Sequence, residues 1–205
     1  MKTFTINEDY LDAAIEGIAF KVKRIALERE LAEVKRNETP TKSRIGKRGQ
    51  PTQGEELERQ VLEAFAAEQS FECELQERLA LSRQKGFVPA HLKLADDYSL
   101  DEVQALTLLV GFVPCLGEEV TNRVLGDIHP FLVTTPSIEM VMMLSEVSTT
   151  KDRLAVMEAL HGATTPLVLH GLVTLETTHA ELRPAERPMT FFHLTQNGYD
   201  ALLAR

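Results

Sequence analysis

Cysteine is scarce in this 205-residue chain. Cys73 and Cys115 stand far apart with no CxxC around either, which excludes a disulfide framework and a thiolate zinc site. The pair fits a reducing, cytoplasmic compartment, and both thiols are expected as small buried apolar residues. Long apolar runs are missing as well. The longest candidate, Ala105 to Gly117, falls short of the roughly 18 consecutive apolar residues of a membrane span and is interrupted by Pro114. The opening MKTFTINEDYLDAA turns acidic before any apolar run develops, which argues against a secretory signal, and no membrane partner is expected.

The signatures of common chemistries are absent too. The sole Gly-Lys pair, Gly46-Lys47, is followed by Arg48 where a phosphate loop needs Ser or Thr, and no glycine stands five residues upstream. There is no GxSxG elbow and no HExxH. Six histidines, His91, His129, His161, His170, His179 and His193, are scattered without ligand spacing, so no metal and no other cofactor is expected. The acidic pairs Asp96-Asp97 and Glu118-Glu119 are adjacent in sequence, so their side chains diverge and suit helix dipoles better than paired acid/base work. No catalytic residue is assigned. An enzyme of unrecognised type would need a deep pocket with paired titratable groups near His161, His170 and His193.

Basic residues are short in the second half. From Met1 to Ala95 the chain holds 16 Lys and Arg against 16 Asp and Glu; from Asp96 to Arg205 it holds 6 against 15, so this half carries the whole net charge of −9. A phosphate-binding surface works by presenting Lys and Arg, so this half begins with the wrong field for nucleic acid.

What is present is helical periodicity. Leu11, Ile15, Ile18, Val22 and Ile25 recur at steps of four and three over Glu8 to Arg36, on one face of a helix. Lys21, Lys23, Arg24, Glu28, Arg29 and Glu30 crowd its other positions. The stripe needs a cover, either the rest of the same domain or a seam with another subunit. A second helix, about Gln53 to Gln84, repeats the pattern with Leu57, Val61, Ala64 or Phe65, Phe71, Leu75 and Leu79. The two predict an antiparallel hairpin over residues 1–90. Between them, residues 35–54 form a linker in which Lys35, Arg36, Lys42, Arg44, Lys47 and Arg48 face Glu38 alone. Such a basic loop is usually solvated; its alternative role is a tether for an acidic surface or nucleic acid.

Pro89 breaks the helical pattern, and a second domain is expected over 96–205. Ser99 with Glu102 reads as a capping box for an apolar helix from Ala105 to Val113 that should sit centrally. A further helix is expected around Glu118 to Leu125. Thr135 or Ser137 caps the next, with Pro136 in its first turn and Ile138, Val141, Met142 and Leu144 to Val147 buried. Met140, Met142 and Met143 read as core filling before a soft binding surface. STTKD starts another helix, which Gly162 suits as a C-cap. Two strands follow, within TTPLVLHGLVTLE and MTFFHLT, around a proline-bearing tip, and Thr195 caps a last helix.

The constellation HGLVTLE … TFFHLTQNGYDALL is similar to the winged-helix fold over about Thr150 to Arg205. The resemblance implies that Leu172 and Leu175 point to the core, that Phe191, Phe192 and Leu194 form the returning strand, and that Tyr199, Leu202 and Leu203 close the bottom. The expected fold is thus mainly α, with a long N-terminal helical hairpin followed by a winged-helix domain bearing a small two-stranded wing. DNA-binding relatives carry Arg and Lys on the recognition helix and wing tip. Here Lys151 and Arg153 are balanced by Asp152 and Glu158, and Arg183 and Arg187 by Glu181 and Glu186, so a protein-facing winged helix is expected and nucleic acid is not.

Over Tyr98 to Leu203, the order SLDEVQALTLLVGFVP, VLGDIHPFLVTTPSIEMVMMLS, TTPLVLHGLVTL resembles the winged-helix module N-terminal to the ATPase core of a group of bacterial AAA+ ATPases. LGEE stands where a charged-aromatic run is expected. The resemblance implies a non-catalytic interaction or regulatory module, either part of a larger ATPase or a free-standing relative, with protein partners that include an ATPase core. Self-association through the N-terminal helices is a further expectation. The alternative is a DNA-binding transcriptional regulator that dimerises through the hairpin, with Arg44, Lys47, Arg48, Lys151, Arg153, Arg183 and Arg187 as its nucleic-acid contacts.

Overall fold

The computed structural model describes residues 2–37, 52–128, 135–161, 165–176 and 190–204. These form α1 (Asn7–Asn37), α2 (Gln53–Gln84), α3 (Ala90–Asp97), α4 (Glu102–Phe112), α5 (Glu118–Leu125), α6 (Ile138–Leu144), α7 (Thr150–His161), α8 (Pro166–Leu169), β1 (Val173–Glu176), β2 (Phe191–Leu194) and α9 (Gln196–Leu203), with a 3₁₀ turn at Val113–Leu116. The middle of the basic linker, the wing tip, His129, His179 and Gly162 lie outside the described residues.

Helix α1 begins with Glu8 and Asp9 and ends with Lys35 and Arg36, the polarity its dipole favours. Leu11, Ile15, Ile18, Val22 and Ile25 are all buried, and the cover comes from within the chain, from α4, α5 and α6. One charged position breaks the pattern: Arg24 is buried with the apolar stripe instead of lying on the solvent side.

Helix α2 opens on a capping box, in which Thr52 Oγ1 accepts from the Glu55 N–H and the Glu55 carboxylate accepts from the Thr52 N–H. It runs antiparallel to α1. Lys35 pairs with Glu58 at 2.7 Å, the Phe20 and Phe71 rings stand 5.0 Å apart, and the Phe4 N–H donates to Ser82 Oγ at 2.8 Å. Ala64, not Phe65, takes the inner position, and Phe65 remains exposed. The segment before α1 is fastened to the end of α2: Phe4 is buried, the Arg78 guanidinium lies 4.1 Å from its ring centroid, and Ser82 Oγ donates onward to the Arg78 carbonyl.

After Pro89 comes the short helix α3, which the sequence reading missed. Its His91 is buried. His91 Nε2 lies 2.9 Å from the Ala105 carbonyl, which can only accept, so Nε2 carries the proton and Nδ1 accepts from the Tyr10 hydroxyl at 3.3 Å. Burial pushes the Tyr10 hydroxyl up to about 12, against a lowering by Arg83, and burial lowers the His91 pKa.

The cap of α4 is Asp101, whose carboxylate accepts from the Gln104 N–H at 2.8 Å while Gln104 Oε1 accepts from the Asp101 N–H. Ser99, the expected cap, instead takes a left-handed φ of 53° and ends α3, its N–H donating to the Asp96 carbonyl. Leu108, Val110, Phe112 and Val113 place α4 and the following turn at the centre of the core. Cys73 and Cys115 are both exposed, contrary to expectation. Cys73 falls on the outer side of α2, and Cys115 in the 3₁₀ turn points its Sγ back toward the Gly111 carbonyl.

Ser137 caps α6, its Oγ accepting from the Met140 N–H at 3.3 Å. Pro136 stays outside the helix, and its carbonyl accepts from the Phe192 N–H at 3.0 Å. Met140 and Met142 are core residues. Ser137 bridges Phe191, and the Ile138 N–H donates to the Thr190 carbonyl, so a short extended stretch flanks β2 on one side while antiparallel β1 flanks it on the other. Val173 lies opposite Leu194, and Leu175 opposite Phe192. Leu172, Phe192 and Leu202 are fully buried, with Leu175, Leu194, Tyr199 and Leu203 packed against them.

Thr195 caps α9, with Oγ1 accepting from the Gly198 N–H at 3.0 Å. A Cβ at Gly198 would run into the Leu172 carbonyl oxygen, so this helix start sits on the β1 backbone because position 198 has no side chain. The result is the winged-helix arrangement, and one hydrophobic core extends from α1 to α9.

Candidate interaction site

Helix α7, which carries Lys151 and Arg153, is held by its neighbours. Thr149 caps it, with Oγ1 accepting from the Asp152 N–H at 3.1 Å and donating to Asp152 Oδ2 at 2.6 Å. Val156 and Leu160, one turn apart, are the residues it buries. The buried Gln104 of α4 donates from Nε2 to the Ala159 carbonyl at 3.1 Å. His161 Nε2 and Thr190 Oγ1, 2.9 Å apart, join its last turn to the start of β2.

The turn that feeds α7 is held from the hairpin. Glu146, with φ 53°, pairs with Arg24 at 2.7 Å and with Lys21 at 3.0 Å. Arg24 also pairs with Glu28 at 2.9 Å and with the buried Glu68 of α2. Burial opposes the charge on Arg24, but the hydrogen bonds to Glu68 and Glu28 outweigh it and raise its pKa above the ordinary value. Burial also opposes the Glu146 carboxylate, and there Lys21 and Arg24 win and lower its pKa. Arg29 reaches Met143 Sδ at the end of α6. Sequence reasoning placed Arg24 among the exposed charges because a 3.6-residue period does not reveal that a second helix covers that flank.

The outward side of α7 carries Lys151, Asp152, Arg153, Leu154 and Glu158, all exposed. Leu154 is 50% exposed, and Leu169 of α8 is 65% exposed. The sequence reading singled out neither leucine, although Leu154 lies off the side that Val156 and Leu160 define. Of the candidate nucleic-acid contacts, Lys151 and Arg153 are placed here beside Asp152, whereas Arg44, Lys47, Arg48, Arg183 and Arg187 lie outside the described residues.

The described histidines do not form one constellation. His161 meets Thr190, the His170 ring stacks on Tyr98 at 4.2 Å, His193 pairs with Glu176 across the wing, and His91 is enclosed with Tyr10. Among the described residues, no group of three His, Cys, Asp or Glu is placed to hold a metal ion, and no helix is long and apolar enough to cross a membrane. The exposed face of α7 thus carries mixed charge around an exposed leucine.

A family model described as "Winged helix domain, variant" matches residues 1–194, so the match takes in the hairpin as well as the winged part. No curated protein matches the chain. No solved structure matches it.

Proposed function

Because the chain belongs to the variant winged-helix domain family, we propose that it works as a non-catalytic protein-interaction or regulatory module serving a AAA+ ATPase. The exposed face of α7 carries the proposal: Lys151 and Arg153 are offset by Asp152 and Glu158 around the exposed Leu154. A helix reading duplex DNA gains its affinity from uncompensated cations that displace counterions, and this face offers none in excess. The remaining acids from Asp96 onward add repulsion. The ATPase as partner rests on the resemblance in the order of segments from Tyr98 to Leu203.

Fluorescence anisotropy of the full chain with duplex DNA tests the partner class. The expected result is no binding that falls steeply between about 50 and about 200 mM salt. Steep salt dependence, abolished by Lys151→Ala with Arg153→Ala, would replace this reading with the DNA-binding regulator. The ATPase partner is tested by isolating the native complex through a tag on the full chain and measuring ATP hydrolysis in it. Leu154→Asp should remove that hydrolysis while leaving the melting temperature of the chain unchanged.

A further inference from the structure

Exposure divides the described methionines. Met140 and Met142 are each 1% exposed and closed in the core, whereas Met143 and Met157 are half-buried. Met143 is set apart further by its neighbour: where α1 passes the end of α6, its Sδ accepts from Arg29 Nη2. Arg29 is exposed and joins no ion pair among the described residues. A thioether sulfur is a weak acceptor, so a full cation is held against a group that uses little of its donor capacity. An oxygen on that sulfur would use more, because hydrogen bonds from a charged donor are the strong ones.

We propose that Met143 is a modification site, oxidised to the sulfoxide by hydroperoxides, and that Arg29 receives the new oxygen. A sulfur lone pair attacks one oxygen of the hydroperoxide, and the S–O bond forms as the O–O bond breaks. The proton on the transferred oxygen passes to the leaving oxygen, which departs as water or an alcohol. Sulfur loses two electrons and the hydroperoxide gains them. The flexible torsions of the methionine side chain let the S–O group turn to the guanidinium. Sulfoxide formation ordinarily disrupts the packing around a methionine. Here it puts a strong acceptor in place of a weak one and tightens α1 onto α6. Glu146, three residues on, is already tied to Lys21 and Arg24, so oxidised Met143 adds a further tie from α1 at the head of the turn that leads to α7.

The test treats the full chain with hydrogen peroxide, locates sulfoxides by peptide mass spectrometry and follows the melting temperature by circular dichroism. Met143 should oxidise at least roughly tenfold faster than the enclosed Met140 and Met142. The shift in melting temperature on oxidation, taken as the difference from a Met143→Leu chain treated alike, should be a rise of about 2–4 °C. In an Arg29→Leu background the same difference should be a fall, because the sulfoxide then has no cation to meet. Oxidation of Met143 no faster than that of the two core methionines overturns the proposal. So does a fall or no change in the chain that keeps Arg29, and so does an equal rise without it.

Discussion

The Arg24 guanidinium and the Glu68 carboxylate meet across the hairpin at 4% and 3% exposure, an ion pair almost wholly withdrawn from water. Such a pair is strong evidence of mutual dependence and weak evidence of net stabilisation, because desolvation offsets most of the attraction. Glu68→Ala should therefore cost up to about 3 kcal/mol, because Arg24 loses its buried partner but keeps Glu28 and Glu146, whereas Arg24→Met with Glu68→Leu should cost less. Urea denaturation of the three chains checks this; equal losses in the single and double variants would show that packing, not charge, governs the site. Removing Arg24 also takes a partner from Glu146. The pKa of Glu146 is lowered in the folded chain, so its contribution is complete above the ordinary carboxylate range and is lost as pH falls through the folded value.

A second expectation concerns acid. The folded state binds His91 in the neutral form and lowers its pKa, so the unfolded chain takes up the proton first as pH drops. Its contribution is therefore complete above about pH 6.5, the unperturbed value, and declines as pH falls toward the folded one. His91→Gln provides the reference. The stability advantage of the unaltered chain over this variant should shrink on acidification from about pH 7.5 to about pH 5. A constant difference across that range would mean that His91 takes up its proton in the fold as readily as in the unfolded chain, and that Nδ1 is not held as the acceptor of the Tyr10 hydroxyl.

The third expectation lies at the base of the wing. Gly198→Ala brings a methyl group against the Leu172 carbonyl and Leu194 Cδ1, and the first of these is backbone that yields only if β1 moves. Overpacking of this kind costs about 1–3 kcal/mol. The denaturation midpoint should fall with an unchanged slope, and a neutral substitution would show that α9 is not seated on β1 as described.

Much of this architecture was legible in the chain. The stripe from Leu11 to Ile25, the inner residues of α2, the apolar α4, the Thr195 cap and the strand pair from Val173 and Phe191 follow from periodicity and capping chemistry, which are local. Errors arose where two local signals competed or where a distant element decided the outcome. Ser99-Glu102 read as the capping box, but Asp101-Gln104 forms it, because Ser99 ends a helix too short to be seen in the pattern. Cysteine burial follows the composition of other proteins, whereas Cys73 and Cys115 fall on outward positions of their elements. Arg24 became an interior residue through Glu68, 44 positions away, which no window of sequence connects. On α7, Lys151 and Arg153 were identified from the sequence, but the exposure of Leu154 beside them depended on which flank α4 covered.

The fastening of Phe4 bears on where the protein can be cut. Its ring sits under Arg78, and its amide engages Ser82, so Phe4, although ahead of the first helix, belongs to the interior. A chain trimmed back to Asn7 would start at a natural helix boundary and still lose a wedge. The start of α1 and the end of α2 would then lose the ring contact and the amide bond that join them.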